Sequence, residues 1–387
     1  MAVFRKSCDM LYFYLFFLTT LPVLVPLFLI FGVLPVLLYR SIAWVLVRTF
    51  RRDLLSFVSG VASIYVDPNP NKSIANFLVG FVLTGGISSQ RISQLFKDRV
   101  LNLRDAKGNL IGLFRVAFRS PFTTTKLSGN KAGVSWKQLK SVLTLPYDIF
   151  VKMCTNESKK RPLGERHGSS NLCFNSTSII NVDDIKRIRK NHGVAYNAVI
   201  LSAINGAIAR ALSDAGATPP ETINLGYVLP LPNHPGGFNV HVTQSTMELP
   251  CYADSPKERL RRTHDIIVKD AGSLSPLILA YFLRLLSLAP VPITSALQGK
   301  ILVPSKFLPS YFLTNMPVTT TRDDVDGLEI VDLIHGISVT YGMGLFISSL
   351  GVNNRQRFFF NMDKSVFGDE ASAIKFPTYF EEELKAL

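Results

Sequence analysis

"DDIKRIRKNHGVAYNAVILSAINGAIARAL", residues 183–212, is the stretch from which the fold is read. It holds two helices of opposite character. The first belongs to "NVDDIKRIRKNHG" (181–193), with Asn181 at a capping position and Gly193 as its stop. The second, "AYNAVILSAINGAIARAL" (195–212), is strongly apolar. Val199, Ile200, Ala203, Ile204, Ala207, Ile208, Ala211 and Leu212 recur at helical spacing and make a broad buried face.

Outward from this pair, strands and helices mix without strict alternation. "TINLGYVLPLP" (222–232) and "FNVHVTQSTMEL" (238–249) read as paired strands around "NHPGG". "SPKERLRRTHDIIVKDAG" (255–272) opens with Ser255 as cap, Pro256 first in the helix and Glu258 at the third position. Residues 274–294 are apolar except for Arg284 and read as a core or membrane-touching helix. In "YFLTNMPVTTT" (311–321), Tyr311, Phe312 and Leu313 end a buried strand, and Thr314, Asn315 and Pro317 break it at once. "GLEIVDLI", "ISVTYGMGLFISSLGV" and "RQRFFFNMD" are further strands, the last two joined at Asn353 and Asn354 as a hairpin. "PTYFEEELKAL" (377–387) is a helix. Upstream, "SIANFLVGFVLTG" (73–85) reads as a largely buried strand. "SSQRISQLFKDRVL" (88–101) reads as a helix with Ile92, Leu95, Phe96 and Val100 on one face. The fold class is mixed α/β, in layers.

The composition separates a membrane part from the rest. From Met10 to Tyr39 there are 30 residues without a charge or a histidine, and about 20 suffice to span a bilayer as helix. Pro22, Pro26 and Pro35 invite kinks or a re-entrant hairpin. Arg40, Arg48, Arg51 and Arg52 follow the run, against Arg5 and Lys6 before it, which places the C-terminal part in the cytosol by the positive-inside rule. Residues 41–58 are an expected amphipathic interfacial segment. The net charge of +14 concentrates between residues 85 and 200, where 20 Lys or Arg face 7 Asp or Glu. An anionic membrane face or a phosphate-bearing ligand suits that stretch beside an anchor, and no nucleic-acid motif accompanies it. The scattered Cys8, Cys154, Cys173 and Cys251 form neither a zinc site nor a disulfide framework. Asn71, Asn156 and Asn175 lie in glycosylation sequons.

From residue 178 onward, the order of blocks resembles the C-terminal half of the bacterial-type wax ester synthase/diacylglycerol acyltransferase family. The helix pair of 183–212 keeps Asn197 where that family has an Asn-Asp pair, with Ala198 for the Asp. "MELPCYADSPKERLRRTHDII" resembles its Leu-Pro strand end and the helix after it. "LTNMPVT" resembles its Ser-Asn-x-Pro-Gly-Pro turn, with Thr314 for Ser, Asn315 and Pro317 matching, and Val318 for Gly. "GMGLFISSLGVNNRQRFFFNMD" resembles its final hairpin, and residues 61–105 resemble the start of its first domain more weakly. The resemblance implies a CoA-dependent acyltransferase-like (chloramphenicol acetyltransferase-like) fold. It implies a membrane anchor and amphipathic segment over 1–60, a truncated first domain and linker over 61–170, and a complete second domain over 171–387. It implies Asn197, Thr314, Asn315 and Pro317 as substrate-binding residues near a tunnel between the domains. It also implies transfer of an acyl group from acyl-CoA, a co-substrate rather than a bound cofactor, to a long-chain alcohol or diacylglycerol. Membrane lipid is the expected partner, the endoplasmic reticulum the expected membrane, and no metal or nucleic acid is expected.

One part of the family's pattern is missing. Its chemistry uses a His-His-x-x-x-Asp-Gly motif whose second His takes the proton from the acceptor hydroxyl. The histidines here are His167, His192, His234, His241, His264 and His335; none adjoins another, and none is followed four residues later by Asp. No catalytic residue is assigned, and an inactive lipid-binding relative or truncated isoform stands as the alternative. His264 shares a helix face with Leu260 and Ile267 and reads as a satisfied core histidine. His335, before Gly336, reads as lying at a strand break.

Overall fold

The computed structural model describes residues 2–50, 77–98, 172–230, 242–271, 309–337 and 344–387, with single positions 147, 163 and 276. The chain begins with α1 (Ala2–Phe28), a π-helical turn at Leu29–Val33 and α2 (Leu34–Phe50). The prolines do not fold this segment into a hairpin. Pro22 and Pro26 stay inside α1. Pro35 cannot donate to the carbonyl four residues before it, Phe31, which falls in the π turn that loosens the ladder there. Val25–Phe50 is long and apolar enough to cross a membrane, and none of its described side chains is buried. The Arg48 guanidinium lies 5.6 Å from the Trp44 ring centroid, so the basic end of α2 is also aromatic.

β1 (Phe77–Leu83) and α3 (Ser89–Phe96) follow. The expectation of a buried strand here is corrected. Leu78 is 65% and Phe81 58% exposed, because among the described residues β1 pairs only with β8 (Leu328–Ile337), in a three-stranded sheet ordered β1-β8-β7 in which β7 is Asp324–Val325. In α3 Leu95 is buried as expected, while Ile92 and Phe96 are exposed; residues 99–101 of the expected helix lie outside the described residues. Arg91 binds Asp326 through two hydrogen bonds of 2.7 Å, which ties α3 to the β7–β8 turn.

Among the described residues the larger sheet has seven strands. Their order is β2 (Leu172–Ser176), β10 (Arg355–Asp363), β9 (Leu345–Val352), β6 (Tyr311–Asn315), β4 (Thr222–Pro230), β5 (Val242–Pro250), with β3 (Ile180–Asn181) beside β10. β6 is parallel to both neighbours and lies mid-sheet. Thr314 and Asn315 belong to it, so the polar residues continue the strand instead of breaking it. β4 and β5 pair antiparallel, as their sequences imply, while the NHPGG connection and His241 lie outside the described residues. Asn353 (φ 54) and Asn354 (φ 62) make the tight β9–β10 turn, which requires two left-handed residues.

Helices α4 (Val182–His192), α5 (Tyr196–Asp214), α6 (Pro256–Asp270) and α7 (Glu370–Lys385) complete the layer. Asn181 and Ser255 cap α4 and α6 as the sequence predicts, and Gly193 ends α4 at φ 64. α5 and α7 pack on one sheet face. There Ile200, Ile204 and Ile208 meet Leu225, Tyr311, Ile347, Phe358 and Phe360, and the Phe358–Phe380 ring centroids stand 4.6 Å apart. Fully burying one such side chain is worth about 1.5–3 kcal/mol. At the centre of the helical layer, buried Glu383 of α7 is gripped by Arg259 of α6 and Arg210 of α5, while Arg259 Nε donates to the Ser202 carbonyl (2.9 Å). A Cβ on Gly206 would overlap Glu383 and Arg259, so only glycine admits this approach.

α7 starts seven residues before the expected point, at Glu370 behind the Asp369 cap, and Pro377 lies inside it. Pro377 has no N–H to give the Ala373 carbonyl, the acceptor four residues back. Asn175 of β2 supplies the missing donor: its Nδ2 lies 3.1 Å from that oxygen. We expect Asn175→Ala to lower stability by about 1–3 kcal/mol, the cost of an unpaired buried acceptor. In a Pro377→Ala background most of that loss vanishes, because the substituted alanine donates its own N–H. Unfolding of the four variants in detergent, read as a double-mutant cycle, gives the coupling.

Candidate functional site

Side chains along β6 alternate between the faces of the sheet, and the four expected site residues divide accordingly. Asn315 faces the helices. Its Nδ2 donates to Asn197 Oδ1 (3.1 Å) near the start of α5, and its Oδ1 accepts from Gln356 Nε2 (3.2 Å). Gln356 Oε1 accepts in turn from the Tyr196 hydroxyl (2.8 Å), and its Nε2 also donates to Ser349 Oγ. A one-way chain of donors thus runs Tyr196, Gln356, Asn315, Asn197, joining the α5 start to β6, β9 and β10. Burial raises the Tyr196 phenol well above its ordinary range, so the donor at the head of the chain stays protonated. Pro317 is half-buried just beyond. Met316 makes the last ladder bond, its N–H to the Ser349 carbonyl (3.0 Å), and Pro317 has no N–H to continue it.

Thr314 is not part of this cluster. It faces the other way, in register with Ser348, on the face where Phe312 stacks on Phe346 at 5.6 Å. Over Ser348 and Asn361 this face is covered by β8 (Leu328–Ile337). Between the two sheets lies a buried seam with a polar lining of Thr314, Ser348, His335 and Asn361. His335 Nδ1 is 2.7 Å from Ser348 Oγ, and the ring meets Phe359 edge-on. Asn361 Oδ1 accepts from the Ile337 N–H (3.2 Å), and its Nδ2 donates to the Phe346 carbonyl (3.3 Å). At the rim Arg357 pairs with Asp332 at 2.7 Å.

His335 corrects the expectation of a strand break, since β8 continues through it to Ile337. Apolar Ile334 points outward, 48% exposed, while His335 points in. The inversion follows from the partner surface: the facing strand offers Ser348 as a polar mate, and a hydrophobic side chain would leave it unpaired. Burial lowers the His335 pKa and keeps the imidazole neutral.

The other described histidines are structural. His264 Nδ1 accepts from the Ala195 N–H (3.1 Å), the first residue of an α5 start that lacks a side-chain cap, and His192 Nε2 is 2.8 Å from the Leu387 carbonyl oxygen. His167, His234 and His241 lie outside the described residues. Cys251 is buried, and burial pushes its thiol up to about 12, too high for a thiolate nucleophile near neutrality. Among the described residues no three His, Cys, Asp or Glu converge as a metal site. Of the residues named from sequence, Asn197 and Asn315 bond to each other, while their partners Tyr196 and Gln356, and the Ser348–His335 contact, were not named. The signal available for that contact was the polar Ser348 inside the otherwise apolar alternation of "LFISSLGV".

A mixed sheet carries a helix pair on one face and a polar seam on the other, and the comparisons say which known proteins share its sequence pattern. Residues 241–387 match the model of the WS/DGAT C-terminal domain. No curated protein sequence matches the chain. Among solved structures it is similar to the wax ester synthase/diacylglycerol acyltransferase from Marinobacter aquaeolei VT8. That pair shares 13% identity at a TM-score of 0.43, over 64% of this chain and 56% of that one. It is also similar to trichothecene 15-O-acetyltransferase from Fusarium sporotrichioides, at 12% identity and TM-score 0.47, over 72% and 56% of the two chains. A third is polyketide synthase associated protein 5 from Mycobacterium tuberculosis, at 14% identity and TM-score 0.39, over 63% and 60%. The chain spans less than two thirds of the length of each of these proteins.

Two outcomes follow from the clusters. Asn315→Ala removes one donor and one acceptor at once and should cost about 1–3 kcal/mol of stability, seen as a lower midpoint of thermal unfolding. For His335, a pKa lowered by folding gives stability that is present above the ordinary imidazole value of about 6.5 and lost as pH falls below it. The melting temperature should therefore fall between pH 7 and pH 5.5, and His335→Gln should flatten that dependence.

Proposed function

We propose that this chain transfers a fatty acyl group from acyl-CoA to a long-chain alcohol or diacylglycerol at a membrane surface. The observation that carries the reading is the WS/DGAT C-terminal domain over residues 241–387. Its site residues are the Asn197–Asn315 pair with Pro317 at the end of β6, and Thr314 in the seam. The helix Val25–Phe50 supports a membrane location, since both lipid substrates partition into a bilayer. The basic stretch of 85–200 suits the phosphates of CoA, which enters as a co-substrate, so no resident cofactor or metal is required.

Arginines C-terminal to the helix support a cytosolic position for the C-terminal domain, with the endoplasmic reticulum as the membrane. Asn175 agrees with that orientation. It stands in a sequon, yet its amide is committed to Ala373, and a glycan there would remove the bond that covers the Pro377 gap. Residues 61–170 are read as a shortened first domain and 171–387 as the complete second one.

A second reading has its own support. The sequence contains no His-His-x-x-x-Asp-Gly motif, which favours a non-catalytic lipid-binding relative or a partner of a longer enzyme. One assay separates the two: membranes carrying the chain receive labelled palmitoyl-CoA with hexadecanol or diacylglycerol. Acyl transfer predicts labelled ester above the empty-membrane background. No ester from protein that melts cooperatively would establish the non-catalytic reading.

A further inference from the structure

We propose that the outer edge of β1 binds the same edge of a second copy of this chain, antiparallel and about a two-fold axis. The two small sheets then join into one. The pairing is independent of the chemistry proposed above.

β1 is "FLVGFVL", Phe77–Leu83, and carries neither a charge nor a proline. Among the described residues one of its edges pairs with β8 and the other has no partner strand. Edge strands are ordinarily blunted by a lysine, a proline, shortness or a covering element, because their unpaired N–H and C=O groups are a template for another strand. β7, at the opposite edge of the small sheet, is blunted in this way, being only two residues long. β1 is not. Its side chains are open on both faces, with Leu78 and Val82 exposed on one and Val79 and Phe81 on the other. Ile334 of β8, in register with Gly80, is exposed as well.

The backbone and the side chains together choose the occupant. A lipid surface would cover the apolar side chains, but hydrocarbon offers no partner to the N–H and C=O groups of an open edge. Another strand satisfies both. An isologous contact requires a surface that complements itself, and β1 does so about Gly80. Laid antiparallel on its own copy with Gly80 at the axis, it sets Val79 against Phe81, Leu78 against Val82 and Phe77 against Leu83, each pair twice. Aromatic residues opposite β-branched ones are favoured cross-strand mates, and no like charges meet. β8 keeps its place on the other edge, so the joined sheet forms without any strand of the chain giving up its partner.

The test reads the register directly, on the full chain purified in detergent. Residues directly opposite in an antiparallel pair have Cα atoms about 4.5–5.5 Å apart, within the range of about 4.4–6.8 Å that a disulfide spans. Gly80→Cys should therefore give a disulfide-linked dimer under mild oxidation, mapped by mass spectrometry to position 80 of both chains. A Cβ at Gly80 lies 3.5 Å from the Ile334 Cβ, an ordinary contact, so the strand tolerates the change. Leu78→Cys and Val82→Cys should crosslink to each other when the two variants are mixed, and each far less with itself. Light scattering of the unsubstituted protein should report two chains per particle. Leu78→Lys combined with Val82→Lys sets lysine against lysine twice and should return single chains with an unchanged melt, since both positions are exposed. Mixing that protein with one carrying Leu78→Glu and Val82→Glu should restore a pair of unlike chains. Should the lysine variant fail to melt cooperatively, the cysteine mapping decides alone. Single chains from the unsubstituted protein at micromolar concentration would overturn the proposal, as would a dimer whose disulfides do not map to position 80. Single chains whose position 80, in liposomes, is shielded from a water-soluble thiol reagent would overturn it in favour of the bilayer.

Discussion

The helical layer depends on one buried carboxylate. Glu383 is almost inaccessible to water, as is Arg259, which reaches it from α6, and Arg210 of α5 closes on its other side. Taking those charges out of water is costly, and the cost is offset only while all the partners are in place. Removing one partner of such a buried pair typically costs about 3–5 kcal/mol. Three helices distant in sequence are therefore fixed relative to one another by a single charged group. Gly206 allows it, since any side chain there would fill the space the guanidinium occupies.

Fixing α5 has consequences at both ends of the helix. Its middle presents isoleucines to the sheet, and its start presents Tyr196 and Asn197 to the polar ends of β6 and β10. The helix start has no side-chain cap of its own, and His264 of α6 reaches the Ala195 N–H instead. The Asn315 cluster thus inherits its geometry from the same α5–α6 contact that Glu383 holds.

How much of this was legible in the sequence follows from the range of each interaction. The α4–α5 pair, the Asn181 and Ser255 caps, the β4–β5 pairing and the Asn353–Asn354 hairpin rest on neighbouring residues, and each was read correctly. β1 was misjudged because its run of apolar residues states a preference for burial, while exposure is decided by what packs on the strand. The start of α7 was misplaced because Pro377 normally marks a helix beginning, and the donor that lets it lie inside belongs to another strand. Asn197 and Asn315 were named through the family pattern, and the bond that joins them links residues 118 positions apart, which no local signal reports. The division of Thr314 from Asn315 was implicit in strand alternation once both were placed in β6.

The bond from Asn175 to Ala373 spans 198 residues. A proline-containing helix that could close its own ladder would form in isolation, on local terms. Here the middle of α7 lacks a donor until β2 is laid beside β10, so the helix is completed only after a long loop has been closed. The entropy of that closure must be met first, and it grows only slowly with loop length. α7 and the edge of the large sheet therefore form together as one cooperative unit, and a probe of either should report the same transition.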